Sequence, residues 1–134
     1  MDGDTFKLTS GSDNVVVRLK DVDTPETSGY NTPDEFKGLD KDDWRCLERW
    51  GYRAKNFLEK KLEESTRLEY RKGVLTVEKG SYGRLLGRVY LNGSNQTLGE
   101  LIVQRGYGRS YGEEYRVEER EARNNSRGLW QCGE

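Results

Sequence analysis

The chain has 134 residues, which suits one domain over residues 1–134, and no apolar run reaches the ~18–20 residues of a membrane-spanning helix. Charged residues make up 35% of the chain, yet the net charge of −1 argues against a protein that binds nucleic acid by charge alone. The absence of histidine excludes a Ser-His-Asp triad and histidine-ligated zinc.

The chain opens with a predicted hairpin. Residues 5–9 (TFKLT) and 15–22 (VVVRLKDV) are typical of strands, and the turn-rich residues 10–14 (SGSDN) lie between them. Residues 28–43 contain Gly, Pro, Asn and Asp without hydrophobic periodicity, which predicts a long loop.

A helix is predicted after this loop, because apolar residues recur at spacings of three and four. The residues of this stripe are Leu47, Trp50, Ala54, Phe57, Leu58 and Leu62. Asp42 or Asp43 would cap the start of the helix.

Three further strands are predicted, at residues 66–71, 74–78 and 84–91, followed by an Asn92-Gly93 turn. Thr97 and Glu100 have the spacing of a capping box, which predicts a short helix ending at Gly106.

A last, charged helix is predicted over residues 114–127. It would stop at Gly128, with Leu129 and Trp130 folding back as apolar anchors. This element order predicts an α+β fold with a small barrel as its core.

Charge is concentrated in residues 18–27 (RLKDVDTPET). Asp4 and Asp23 lie at predicted strand ends, where their carboxylates would hold a hard cation such as calcium or magnesium. Glu26 would orient or deprotonate a water, and Arg18 and Arg84 would clamp a phosphate. These groups fit phosphoryl transfer, but a solvated, salt-bridged turn is the alternative that such a pattern most often represents.

Two cysteines, Cys46 and Cys132, are too few for a four-thiolate zinc site. They either form one disulfide or remain two thiols, because the sequence does not give their separation in space.

Five motifs stand in the order and approximate spacing of the staphylococcal nuclease (thermonuclease) family, which the chain resembles over nearly its whole length. They are DGDTF (2–6), RLKDVDTPET (18–27), YGRLLGRVY (82–90), LGELIVQRGYGR (98–109) and RGLW (127–130). The resemblance implies a five-stranded OB-type β-barrel with three helices. It also implies calcium-dependent cleavage of DNA and RNA by water attack on phosphorus, leaving 3′-phosphate ends.

The resemblance also implies roles for individual residues. Arg18, Glu26 and Arg84 correspond to the catalytic set, with Glu26 as general base toward water. Asp4 and Asp23 correspond to the calcium carboxylates, and the main-chain carbonyl of Thr24 to a further ligand.

Three tyrosines correspond to substrate contacts: Tyr82, Tyr111 and Tyr115. Stacking on bases is tolerant of sequence, which suits a nuclease without sequence preference. We expect DNA and RNA as partners, single strands preferred, and no membrane. The resemblance implies that the protein is secreted or lies at the cell surface. A binding module that keeps the barrel without cutting is the alternative function.

Two departures from the family pattern bear on the fold. Only Met1 precedes the Asp-Gly-Asp-Thr motif, so we expect a truncated sequence, a misassigned gene start or a barrel that closes differently. A missing first strand would leave an open barrel edge. A monomer is expected, with a dimer through that edge as the alternative. The 28–43 loop is longer than in the type member, and would either cover the substrate or tether the first helix.

Overall fold

A computed structural model describes residues 2–10, 13–27, 31–64, 68–69, 78–79, 85–91 and 94–133. Within these ranges the protein has three α-helices: α1 (Trp44–Glu64), α2 (Leu98–Gln104) and α3 (Arg116–Asn124). The strands β1 to β8 are Thr5–Ser10, Asp13–Leu19, Val22–Asp23, Leu68–Glu69, Glu78–Lys79, Leu85–Gly87, Tyr90–Leu91 and Arg109–Ser110. The predicted α+β class is therefore confirmed.

The described strands pair in three sheets. The largest has the order β1-β2-β6-β5, in which β2 and β6 run parallel and the other neighbours antiparallel. Strands β3 and β8 form a second sheet, and β4 and β7 a third, both antiparallel. Across the described ranges these sheets do not close into a barrel, so the five-stranded barrel stays a prediction.

The predicted hairpin is confirmed, because β1 and β2 pair in continuous antiparallel register. The predicted strand 15–22 is interrupted, however, and β2 ends at Leu19 before β3 begins at Val22. Asp21 adopts a φ of 67°, a left-handed conformation that a strand cannot continue through. Arg88 holds the Asp21 carboxylate at 2.6 Å, which helps to fix this bend.

The predicted loop 28–43 contains short helical structure where it is described. Single 3-10 turns form at Pro33–Glu35 and Lys41–Asp43, and Phe36 between them is buried. Asp42 or Asp43 was predicted to cap α1, but the 3-10 turn that runs directly into α1 is capped by Asp40. Asp40 accepts a hydrogen bond from the Asp42 main chain at 2.9 Å, and Asp43 accepts one from the Asp40 main chain at 2.9 Å.

Helix α1 packs against two clusters of buried side chains. The first contains Phe6, Val17, Leu19, Val22, Leu58, Val89, Leu98, Ile102, Val103 and Tyr115. The second contains Phe36, Leu47, Ala122, Leu129 and Trp130. The α1 stripe predicted from spacing supplies members of both, so this helix joins the sheet to the C-terminal elements.

The C-terminal elements largely follow the prediction. Thr97 Oγ1 accepts the Glu100 main-chain N–H at 3.0 Å and caps α2, and Gly106 follows the helix with a φ of 80°. Helix α3 is shorter than residues 114–127, and Leu129 and Trp130 are buried after it. The predicted Asn92-Gly93 turn and most of residues 66–84 lie outside the described residues.

Cys46 and Cys132 form a disulfide, with Cα atoms 5.8 Å apart and 86 positions between them in sequence. This decides between the two alternatives for the cysteines. The bond fixes the beginning of α1 to the C-terminal segment beside the second cluster. Among the helices in the described ranges, none is long and apolar enough to cross a membrane.

Candidate active site

The hairpin register brings Asp4 beside Arg18. Thr5 pairs with Arg18 across β1 and β2, and the Leu19 main-chain N–H donates to the Asp4 carbonyl at 2.7 Å. Asp4 therefore lies directly before β1 and opposite Leu19, one residue beyond Arg18 on β2. Arg18 Nη2 is 3.6 Å from Asp4 Oδ2.

A second strand pair brings Asp23 to the same place. Asp23 on β3 lies opposite Arg109 on β8, and Arg109 Nε donates to Asp23 Oδ2 at 2.9 Å. The other oxygen, Asp23 Oδ1, is 3.6 Å from Arg18 Nη2. One guanidinium thus faces two carboxylates from different strands, and Asp23 lies between two guanidiniums.

The two carboxylates differ in their surroundings. Asp4 is 5% exposed and accepts hydrogen bonds from the Thr24 main-chain N–H at 3.2 Å and the Thr5 hydroxyl at 3.0 Å. Burial raises the pKa of Asp4, against the opposing charge of Arg18. Burial also raises the pKa of Asp23, and the nearby charge of Asp4 raises it further.

Thr24 directly follows Asp23 in sequence, and its main-chain N–H donates to the Asp4 carboxylate. Its hydroxyl oxygen is buried and has no hydrogen-bond partner within the described residues. A buried polar atom without a partner is costly, and a bound cation or its water would satisfy it. The donors here are all oxygens, and two carboxylates with raised pKa values gain from a positive charge, so the residues fit a hard cation.

The carboxylate set for such an ion is small. In the part of the chain that the structure describes, no group of three or more Asp, Glu, Cys or His side chains is arranged to hold a metal. Asp4 and Asp23 would therefore supply two ligands, with the remainder from main-chain carbonyl oxygens, water or substrate.

Glu26 follows Pro25 at the edge of this cluster, and its side chain is exposed. Partial desolvation raises the pKa of Glu26, and so does repulsion from Asp2, Asp23 and Glu35. A cavity of about 40 Å³ is lined by Glu26 together with Asp23 and Glu35. A carboxylate with a raised pKa beside a small polar cavity can take a proton from a water there.

The predicted substrate tyrosines separate in the structure. Tyr111 is 56% exposed, and the guanidinium carbons of Arg18 and Arg109 each lie 5.6 Å from its ring centroid. Tyr115 is 4% exposed, and its hydroxyl is 2.7 Å from Thr97 Oγ1. Tyr115 therefore packs in the core rather than offering a ring to a base, which corrects its predicted role.

The sequence of the chain matches a known protein family. The family described as "Staphylococcal nuclease homologue" matches residues 16–132. The chain belongs to this family. Its described elements from β3 to the segment after α3 fall within the matched range, which begins inside β2.

Relatives of this nuclease family include an uncharacterised protein of Methanocaldococcus jannaschii, 34% identical over 97% of the chain and 68% of the relative. A thermonuclease of Staphylococcus hyicus is 31% identical over 90% of the chain and 62% of the relative. A prophage-derived endonuclease of Bacillus subtilis is 28% identical over 97% of the chain and 41% of the relative. The chain thus spans between 41% and 68% of these relatives' lengths.

Arg84 and Tyr82, which the nuclease resemblance places at the phosphate and the nucleotide, lie outside the described residues. Their roles stay predictions. Of the other predicted residues, the structure brings together Asp4, Arg18 and Asp23, with Glu26 and Tyr111 at the edge.

Three residues beside this nuclease-family site were not predicted from the sequence: Arg109, Glu35 and Asn31. Arg109 pairs with Asp23, and its Nη2 is 3.2 Å from Glu35 Oε2. Asn31 makes two hydrogen bonds to the main chain of Glu26. The sequence carries no local signal for these contacts, because 86 residues separate Arg109 from Asp23 and 74 separate it from Glu35.

Proposed function

We propose that this chain is a calcium-dependent endonuclease that hydrolyses phosphodiester bonds of DNA and RNA without sugar preference, leaving 3′-phosphate products. The proposal depends on one observation in a chain of the nuclease family: Arg18 Nη2 lies 3.6 Å from a carboxylate oxygen of Asp4 and 3.6 Å from one of Asp23. The nuclease names of its relatives support the reaction class.

Asp4 and Asp23 would hold the calcium ion, with the main-chain carbonyl of Thr24. When bound, calcium supplies positive charge that stabilises the negative charge developing on the phosphate oxygens. The buried Thr24 hydroxyl and the raised pKa values of the two carboxylates support this assignment.

Glu26 would act as general base. It takes a proton from a water, the water oxygen bonds to phosphorus, and the bond from phosphorus to the 5′-oxygen breaks. The departing 5′-oxygen takes up a proton, so the products carry a 3′-phosphate and a 5′-hydroxyl. The raised pKa of Glu26 supports this role, because a more basic carboxylate accepts the proton more readily.

Arg18 would bind the phosphate and stabilise the transition state, with Arg84 as its partner. A guanidinium stays charged at all working pH values and presents paired donors that match phosphate oxygens. Tyr111 would stack on a base next to that phosphate, since its exposed ring lies beside Arg18. Stacking favours unpaired bases, which supports single strands as the preferred substrate.

The disulfide supports export as part of the proposal. Disulfides persist in oxidising surroundings such as the cell exterior. The Cys46–Cys132 bond therefore agrees with secretion or a cell-surface location, and with one domain built over the five-stranded barrel of the family.

The test is release of acid-soluble nucleotides from single-stranded DNA and from RNA, with calcium and again with EGTA. We expect release from both substrates with calcium only, and end-labelling should detect 3′-phosphate and 5′-hydroxyl termini. Binding of nucleic acid without release in either condition would favour the non-cutting module. Release of 5′-phosphate products would contradict the proposed bond cleavage.

A further inference from the structure

Glu26 needs support from its main chain. Its side chain is exposed, and no other described side chain gives its carboxylate a hydrogen bond or an ion pair. A general base must stay within hydrogen-bond reach of the water that it deprotonates. The position of the carboxylate therefore depends on how firmly the backbone at Glu26 is held.

Asn31 makes two hydrogen bonds to the Glu26 main chain. Its Oδ1 accepts the Glu26 main-chain N–H at 2.8 Å, and its Nδ2 donates to the Glu26 carbonyl at 3.0 Å. Both polar groups of one side-chain amide are thus used by a single residue. This pairing fixes the orientation of the two peptide groups at Glu26, which one hydrogen bond alone would not do.

Helix α1 lies against the same backbone. A Cβ built at Gly51 would lie 2.5 Å from the Glu26 carbonyl oxygen and 2.8 Å from that of Pro25. Glycine in a helix interior destabilises the helix relative to alanine. Any larger residue at position 51 would clash with the carbonyl oxygens of Pro25 and Glu26. These carbonyls therefore pack directly against the backbone of α1 at Gly51.

Asn31 is itself held by its neighbours. Pro33 is buried, and the Phe36 ring packs 6.2 Å from the Trp130 ring in the second cluster. Glu35 is joined to Arg109 at 3.2 Å. The segment 31–36 therefore contacts the second cluster through Phe36 and the Glu26 main chain through Asn31.

We propose that Asn31 is a positioning residue that fixes the main chain of Glu26 against α1 and so keeps the Glu26 carboxylate in its working position. This inference rests on the proposed function of Glu26 as general base. Asn31 would act through Glu26, because both polar groups of its side-chain amide are used by the Glu26 main chain. The long segment after Glu26 thereby gains a function other than covering the substrate or tethering the helix.

The test compares wild type, Asn31→Ala and Asn31→Gln by steady-state cleavage at saturating calcium, which gives kcat and KM. Displacing a catalytic group by about 1 Å can cost on the order of 100-fold in rate. We expect a 10-fold to 100-fold loss in kcat for Asn31→Ala, on the same scale. KM and the calcium-induced rise in Tm should be unchanged. Asn31→Gln keeps both amide groups and should recover part of the rate.

A double variant separates positioning from general loss of structure. In the Glu26→Gln background, Asn31→Ala should add no further loss, because a residue that acts through Glu26 has nothing left to position. Asn125→Ala is the matched control, since Asn125 Nδ2 donates to the Glu121 carbonyl at 2.8 Å on α3, away from the site. Amide exchange at Glu26 should accelerate in Asn31→Ala.

Three results would overturn the inference. They are an unchanged kcat for Asn31→Ala, an equal further loss in the Glu26→Gln background, and an unchanged amide exchange rate at Glu26. A wild-type protein without calcium-dependent cleavage would instead reject the proposed function, and this inference with it. Cleavage by wild type with no effect of Asn31→Ala rejects the inference alone.

Discussion

Arg109 Nε donates a hydrogen bond to Asp23 Oδ2 at 2.9 Å, and the other oxygen of that carboxylate is thereby left facing Arg18. Arg109 is thus placed to orient a candidate cation ligand. Its own second contact, to Glu35 Oε2 at 3.2 Å, holds the guanidinium in place. Outer residues that orient ligands commonly contribute to metal affinity.

Replacing Arg109 should therefore weaken cation binding. We expect Arg109→Ala to lower calcium affinity roughly 10-fold or more, measured by titration calorimetry, because Asp23 loses its orienting partner. Arg123→Ala is the matched control, since Arg123 pairs with Glu119 at 3.3 Å on α3 and is similarly exposed. Equal calcium affinity in wild type and Arg109→Ala would contradict the orienting role.

The stability gained from calcium should depend on pH. Burial holds the pKa values of Asp4 and Asp23 above their ordinary value of 3.8, so the folded protein binds protons that the unfolded chain releases. Without calcium, the stability that these protonated groups contribute is present below pH 3.8 and is lost as pH rises through the raised pKa values. Calcium needs the ionised carboxylates and opposes this loss.

We therefore expect the calcium-induced rise in Tm to be larger at pH 7 than at pH 4, measured by thermal unfolding. Asp23→Asn should reduce the rise at pH 7, whereas Asp34→Asn, which alters an exposed carboxylate, should leave it unchanged. A rise in Tm that is equal at both pH values would refute the assignment of the ion to Asp4 and Asp23.

The disulfide should contribute substantially to stability. A bond that joins Cys46 to Cys132 across 86 positions restricts the unfolded chain strongly. The double variant Cys46→Ser with Cys132→Ser should lose about 2–5 kcal/mol in the free energy of unfolding, measured by denaturant titration. Reductant should destabilise wild type and leave the double variant unaffected. A wild-type midpoint that does not respond to reductant would count against this contribution.

The two predicted substrate tyrosines that lie within the described residues, Tyr111 and Tyr115, should respond differently to substitution. Tyr111→Ala should raise KM for single-stranded DNA with little change in stability, because the ring is exposed beside Arg18. Tyr115→Phe should cost about 1 kcal/mol of stability, because it removes the hydrogen bond to Thr97, and should leave KM unchanged. A raised KM in Tyr115→Phe would instead support the predicted role of Tyr115 as a substrate contact.

The parts of the fold that were predicted correctly depend on local patterns. The hairpin of β1 and β2, the start of α2 at Thr97 and the buried Leu129 each follow from residues close together in sequence. The break at Asp21 was missed although Val22 falls out of phase with Val17 and Leu19, and the φ of Asp21 is fixed partly by the distant Arg88. The disulfide was left open because spacing alone gives no distance.

The candidate site shows the same division. Residues in recognisable motifs, such as Asp4 and Arg18, were placed near one another correctly. Arg109 and Asn31 were missed because their partners are set by strand pairing and by the long segment, which carries no motif. Tyr115 was misjudged because a tyrosine beside a motif can face the core or the solvent with equal sequence support.

Single-turnover cleavage of single-stranded DNA by Glu26→Gln with calcium measures the contribution of the proposed general base. We expect a loss of roughly 10²- to 10⁴-fold in rate, as for a general base, with calcium and nucleotide affinity retained. Glu59→Gln, an exposed carboxylate on α1, should cleave at the wild-type rate. Cleavage by Glu26→Gln at the wild-type rate would contradict the proposed mechanism.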